Sequence, residues 1–138
     1  MPTFPSPEWL DAYREAINAD AEFRRSAQGW EGDITLVVEA EPHKGVPVDS
    51  WAWFDLHHGE NLEAKVVEPD VGERAAFVVR APYSVWKEVL SGRLEPVRGM
   101  TVGRLRLSGD LPAIKEHVQA VGALVSIASR ITTEFPDD

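Results

Sequence analysis

Apolar positions along the chain change period several times, and each change marks an element. Ser6 is placed to cap a helix with Pro7 at its first position, and Trp9, Tyr13, Ala16 and Ile17 then share one face, with Leu10 beside it. Asp20 is placed to cap a second short helix carrying Phe23 and Ala27, which "QGW" ends at Gly29. From there the period is two. "DITLVVEAE" (33–41) puts Ile34, Leu36 and Val38 on one side, and "PHKGVP" reads as a loop. "VDSWAWFDLHH" (48–58) sets Trp51 and Trp53 against Ala52, Phe54 and Leu56. After a turn at "HGEN", residues 62–68 alternate Leu62, Ala64 and Val66 with Glu63 and Lys65. "PDVG" breaks that strand, and residues 74–81 alternate Ala75, Phe77 and Val79 with Arg74 and Arg80.

Helical spacing then returns. "PYSVWKEVLSG" places Tyr83, Trp86 and Leu90 (or Val89) on one face and stops at Gly92. "EPVRGM" follows as a short helix with Pro96 in its first turn. Residues 103–109 form a short strand with Leu105 and Leu107 opposed to Arg104 and Arg106. Asp110 is placed to cap one long last helix, whose stripe Ile114, Val118, Val121, Val125, Ala128 keeps a 4, 3, 4, 3 spacing. Ala120, Ala123, Leu124 and Ile127 widen the stripe, so this helix is expected to be buried or to face an apolar cavity. Gly122 costs about 1 kcal/mol there relative to alanine, which predicts a packing or clearance reason. "EFPDD" reads as a solvated tail. Strands with one apolar and one polar face suit an antiparallel sheet covered by helices on one side, in a single α+β domain over residues 1–138.

Composition narrows the function. At 138 residues and 43% hydrophobic, the chain can bury a core without staples; it has no cysteine, which excludes disulfides and thiol catalysis. "MPTFPSPEW" lacks the basic and apolar regions of a signal peptide, and no apolar run approaches the ~20 residues of a membrane span, so a cytoplasmic protein without integral membrane association is expected. A formal net charge of −9 argues against nucleic acid. The charge is uneven: residues 80–106 carry Arg80, Lys87, Arg93, Arg98, Arg104 and Arg106 against Glu88 and Glu95 alone. That segment is either an ordinary solvated surface or an anchor for an anionic headgroup or acidic partner.

Catalytic signatures are missing. There is no G-x-S-x-G, phosphate loop, G-x-G-x-x-G or H-E-x-x-H. Asp55 and His57 share a strand face and are the candidate acid–base or two-ligand pair, but two ligands fall short of the usual metal site, and no metal or other cofactor is expected. Five tryptophans in 138 residues point to packing, with Trp51, Trp53 and Trp86 as candidate pocket walls.

The stretch "WKEVLSGRLEPVRGMTVGRLRLSGDL" (86–111) resembles the sterol carrier protein 2 domain family. The likeness lies in an aromatic-bearing helix ending in glycine, a short helix, and the strand-turn Gly103-Arg104-Leu105-Arg106-Leu107-Ser108-Gly109-Asp110 before the closing amphipathic helix. The upstream order of elements is similar too. The resemblance implies a five-stranded, mostly antiparallel sheet with helices on one face and an apolar tunnel between the layers. It also implies non-catalytic binding or carriage of a lipid-like small molecule: a fatty acid, acyl-CoA, sterol-like molecule or phospholipid. Strand parity and helical spacing then select Phe54, Phe77, Val79, Trp86, Leu90, Met100, Val121 and Val125 as apolar ligand contacts. Arg93 and Arg98, flanking the short helix, are the candidate headgroup contacts. The alternatives are a self-filled structural or homodimerisation domain without a ligand, and an enzyme built on Asp55 and His57.

Overall fold

The computed structural model describes residues 1–138. Helix α1 (Pro7–Asn18) starts where Ser6 caps it, the Ser6 hydroxyl accepting from Trp9 N–H at 3.1 Å, and α2 (Ala21–Ser26) starts where Asp20 accepts from Phe23 N–H at 2.8 Å. Strands β1 (Ile34–Glu39), β2 (Ser50–His57) and β3 (Glu60–Val66) form an antiparallel meander. A short helix α3 (Pro69–Gly72) leads to β4 (Phe77–Pro82), which returns beside β1 in parallel, and β5 (Arg106–Ser108) adds to its far edge. The sheet order is β3-β2-β1-β4-β5, with β1 and β4 as its one parallel pair. Helices α4 (Tyr83–Leu90) and α5 (Pro96–Thr101) precede β5, and α6 (Leu111–Glu116) and α7 (Val118–Arg130) follow it. The architecture is therefore the expected α+β, mostly antiparallel sheet. No helix is long and apolar enough to cross a membrane.

The alternation of side chains sorts the sheet into two faces. Ile34, Leu36 and Val38 on β1 lie opposite Phe54, Ala52 and Ser50 on β2 and beside Phe77, Val79 and Ala81 on β4. These residues form the inner face, and together with Trp9, Tyr13, Tyr83 and Trp86 from α1 and α4 they make the main core. The outer face is not left bare. The β3–β4 crossover carries α3 over it, and Val37, Trp51 and Val78 form a small second core there with Val67 and Ala75. The Thr35 hydroxyl donates to Gly72 O at 2.8 Å, and a Cβ on Gly72 would meet the Trp51 ring at 2.7 Å, so only glycine lets α3 come this close. The β2–β3 turn has the same logic. His58 and Gly59 have φ of 48° and 87°, the pattern of a two-residue hairpin loop, and a Gly59 Cβ would strike the backbone of Arg24 at 2.6 Å.

Four sequence expectations are corrected. Leu62 does not share the inner face with Ala64: the register shifts between Asp55 and Leu56, so Asn61 and Ala64 turn inward and Leu62 is exposed. A one-residue shift moves side chains to the opposite face. The last helix is two helices. His117 leaves helical geometry (φ −115°, ψ 35°), its ring edge-on to Trp30, and Val118 is left exposed instead of continuing the stripe. Gly122 faces open space, so no clearance requirement accounts for it. The C-terminal tail is docked: Phe135 packs against Phe4, Glu134 pairs with Thr3, and Asp137 accepts from the Tyr83 hydroxyl at 2.6 Å and from Lys87 at 2.9 Å.

Candidate functional site

Between the inner face of the sheet and the helices lies an apolar cavity of about 310 Å³, within the range of small-molecule sites. Its floor is the inner face: Ile34, Leu36, Val38, Ala52, Phe54, Phe77 and Val79. Its walls come from α1 (Trp9, Leu10, Tyr13), α4 and α5 (Trp86, Leu90, Met100), and α6 and α7 (Ile114, Val121, Leu124, Val125). Twenty-three of its 28 lining residues are hydrophobic, and the remainder are three prolines, Ser6 and Ser50. A smaller void against Phe23, Ala27 and Leu56 shares Trp30, Ile34, Val121 and Leu124 with the main cavity.

The wall is apolar because its aromatic polar atoms are turned away and satisfied. Trp9 Nε1 donates to Thr133 at 2.9 Å, Trp30 Nε1 to Gly32 O at 2.9 Å, and Trp86 Nε1 to Val37 O at 2.9 Å. The Tyr13 hydroxyl donates to Leu124 O at 2.8 Å, and burial pushes its phenol well above the ordinary tyrosine range, so it stays neutral. Such rings present hydrocarbon to the cavity and tie α1 and α7 together around it.

The structure brings eight of the sequence-selected residues onto this one surface: Phe54, Phe77, Val79, Trp86, Leu90, Met100, Val121 and Val125. Arg93 and Arg98 are not on the wall. Both are exposed, three and two residues from Leu90 and Met100, and neither has an ion-pair partner within 4.0 Å, although the Arg93 charge is felt by Glu88. The other cations of the basic segment are engaged. Arg104 pairs with Glu88, Arg106 with Glu39, Lys87 with Asp137 and Asp138, and Arg80 lies 5.1 Å over the Trp51 ring. The Arg104 guanidinium holds the Glu88 carboxyl below its ordinary range despite some burial.

Trp51 and Trp53 stand on the outer face, so Trp86 alone of the three tryptophan candidates lines the cavity; Trp9 and Trp30, which were not among those candidates, line it too. Asp55 and His57 alternate with the inward Phe54 and Leu56 and so lie across the sheet from the cavity. No three His, Cys, Asp or Glu side chains gather as a metal site. The N-terminal wall, Phe4 to Pro7, is not legible as part of the site in the sequence, because its packing depends on the docked tail rather than on any periodicity.

The comparisons with known proteins agree with this geometry. The SCP-2 sterol transfer family model matches residues 13–121. A crystal structure of sterol carrier protein 2 is 35% identical, with a TM-score of 0.84 over 92% of this chain and 98% of that one. A conserved hypothetical protein from Thermus thermophilus, described as possibly a sterol carrier protein, is also 35% identical, with a TM-score of 0.83 over 94% of this chain and 90% of that one. The apo form of sterol carrier protein 2 from Yarrowia lipolytica, 12% identical, shares the fold with a TM-score of 0.60 over 88% of this chain and 90% of that one. No curated protein sequence matches. With the family model matched from α1 into α7 and an apolar cavity between sheet and helices, the chain belongs to the SCP-2 sterol transfer family.

Proposed function

We propose that this protein binds and carries a single lipid-like molecule in the cavity between sheet and helices, without acting on it chemically. The observation that carries the proposal is the cavity itself: about 310 Å³ left open between the sheet and the helices, with 23 hydrophobic residues around it. Interiors are normally filled to crystal density, and an unfilled apolar space of this size loses dispersion contacts on every side. A ligand of matching surface restores them. Membership of the SCP-2 sterol transfer family supports the same reading. The open volume speaks against the alternative of a self-filled dimerisation core.

The proposed apolar contacts are Phe54, Phe77 and Val79 on the floor and Trp86, Leu90, Met100, Val121 and Val125 on the walls. Arg93 and Arg98 are proposed as surface contacts for an anionic head emerging past Leu90 and Met100; being exposed, they act weakly and lose strength with salt. The test is a fluorescence titration. Trp9, Trp30 and Trp86 line the cavity, so a long-chain fatty acid should change tryptophan emission saturably, with one site per chain. Charge reversal at both Arg93 and Arg98 should weaken an anionic amphiphile and leave an uncharged one unchanged. Emission that no lipid class alters would refute the proposal.

A further inference from the structure

The cavity wall is not uniformly inert, and its remaining hydrogen-bonding capacity is confined to one end. Four aromatic side chains on the wall carry polar atoms, and all four already donate to partners within the chain. Two hydroxyls are left, on Ser6 and Ser50. Ser6 Oγ accepts from Trp9 N–H at 3.1 Å, which uses a lone pair and leaves its proton undirected. Ser50 lines the cavity, and its hydroxyl makes no hydrogen bond to the chain, so both its donor and its acceptor capacity are free.

The fold places these two serines at the same end of the sheet. Ser50 opens β2 and lies opposite Val38, on the inner face. Two residues on, Ala52 pairs with Val66, the last residue of β3. Helix α1 runs along β3 with its C-terminal end beside Asn61, where Asn18 Nδ2 donates to Asn61 O at 2.9 Å, and with Arg14 reaching Leu62 O. Its N-terminal end, with Ser6 and Pro7, therefore lies at the Val66 and Ser50 end of the sheet. Pro7 and Val66 are both exposed, so this end of the cavity reaches the surface.

The charges nearby select what those hydroxyls can take. Glu8 follows Ser6 by two residues and Asp49 precedes Ser50, its carboxylate accepting from Ala40 N–H. The cations of the neighbouring strands are engaged: Lys65 and Arg80 lie over Trp53 and Trp51 on the outer face, and Arg106 is paired with Glu39. The charges that flank the two serines along the chain are thus carboxylates. A neutral group that both donates and accepts meets two hydroxyls able to do the same.

We propose that Ser6 and Ser50 form a headgroup subsite at the α1 end of the cavity that takes the uncharged hydroxyl of an amphiphile, its hydrocarbon body lying along the sheet floor. This rests on the carrier reading above.

The experiment compares 1-dodecanol with dodecane by tryptophan fluorescence, in wild-type protein and in Ser50→Ala and Ser6→Gly. Glycine at Ser6 keeps most of the helix cap, which guards against loss of fold. Melting temperature is measured on each variant. One or two net hydrogen bonds predict that wild-type protein prefers the alcohol by about three- to tenfold, and that Ser50→Ala brings the ratio down about threefold with dodecane affinity unchanged. Ser6→Gly should lower it in the same direction. Equal wild-type affinity for alcohol and hydrocarbon, or a ratio that survives Ser50→Ala, overturns the subsite and leaves the carrier reading standing. Wild-type protein that binds neither probe, nor a fatty acid, overturns both.

Discussion

Filling the cavity from its floor should stabilise the protein and cost it its ligand. Ala52 is the position to use. It lies mid-floor on β2, opposite Leu36 on one side and Val66 on the other, is 7% exposed, and its methyl borders the open volume. Ala52→Leu adds three carbons into space that no side chain occupies. At about 0.8 kcal/mol per buried methylene the gain is about 2.4 kcal/mol, reduced by about 0.5–1 kcal/mol for fixing the leucine rotamer. A net gain of about 1.5 kcal/mol, spread over the unfolding entropy of a chain this long, raises the melting temperature by about 5 °C. The assay is thermal unfolding of delipidated wild-type and Ala52→Leu protein by circular dichroism, followed by fatty-acid titration of both. The expected result is a higher midpoint together with weaker binding. In a core already packed to normal density the same leucine costs about 1–3 kcal/mol from overpacking, and the midpoint falls. A fall, with fatty-acid affinity unchanged, would refute the claim that this volume is open and is the binding site.

Two other outcomes follow from groups away from the floor. Asn61 is 1% exposed and both polar atoms of its side-chain amide lack partners, a cost of about 1–3 kcal/mol, so Asn61→Leu should raise the urea midpoint, its backbone bonds to Asn18 being kept; a lower midpoint would mean the amide is satisfied in solution. The Asp137 carboxyl is held below its ordinary range by the hydrogen bond from Tyr83, then by Lys87, so its contribution is complete above the unfolded value of about 4 and lost as pH falls through the depressed folded one. Asp137→Asn should therefore lower the urea midpoint at pH 7 and shrink the loss between pH 7 and pH 3; an acid profile identical to wild type would place the tail free of α4.

What could be read from the chain alone follows the range of the interactions involved. Period-two alternation put Phe54, Phe77 and Val79 on one face, and that face is the cavity floor, because side-chain parity is a local property of an extended strand. Helix starts at Ser6 and Asp20 were equally local, since each cap bonds an amide three residues on. The misreadings concern places where distant segments decide. Leu62 alternates correctly in sequence, but the β3 irregularity and the Asn18–Asn61 bonds turn Asn61 inward in its stead. Val118 obeys helical spacing until His117, packed edge-on against Trp30, interrupts it. The acidic tail has a solvated composition, yet Tyr83 and Lys87 give its carboxylates partners more than forty residues away in sequence. The basic segment shows the same limit: counting charges did not reveal that Arg104 and Arg106 were already paired while Arg93 and Arg98 were not.

Carriage of a lipid is tested most directly on protein purified gently, without detergent, by native mass spectrometry and by mass spectrometry of its organic extract. The account predicts a bound amphiphile approaching one per chain, released on denaturation and reduced in Ala52→Leu protein prepared alongside. Wild-type protein that carries no extractable lipid, and takes up none when incubated with fatty acids, long-chain alcohols or phospholipid vesicles, would contradict it.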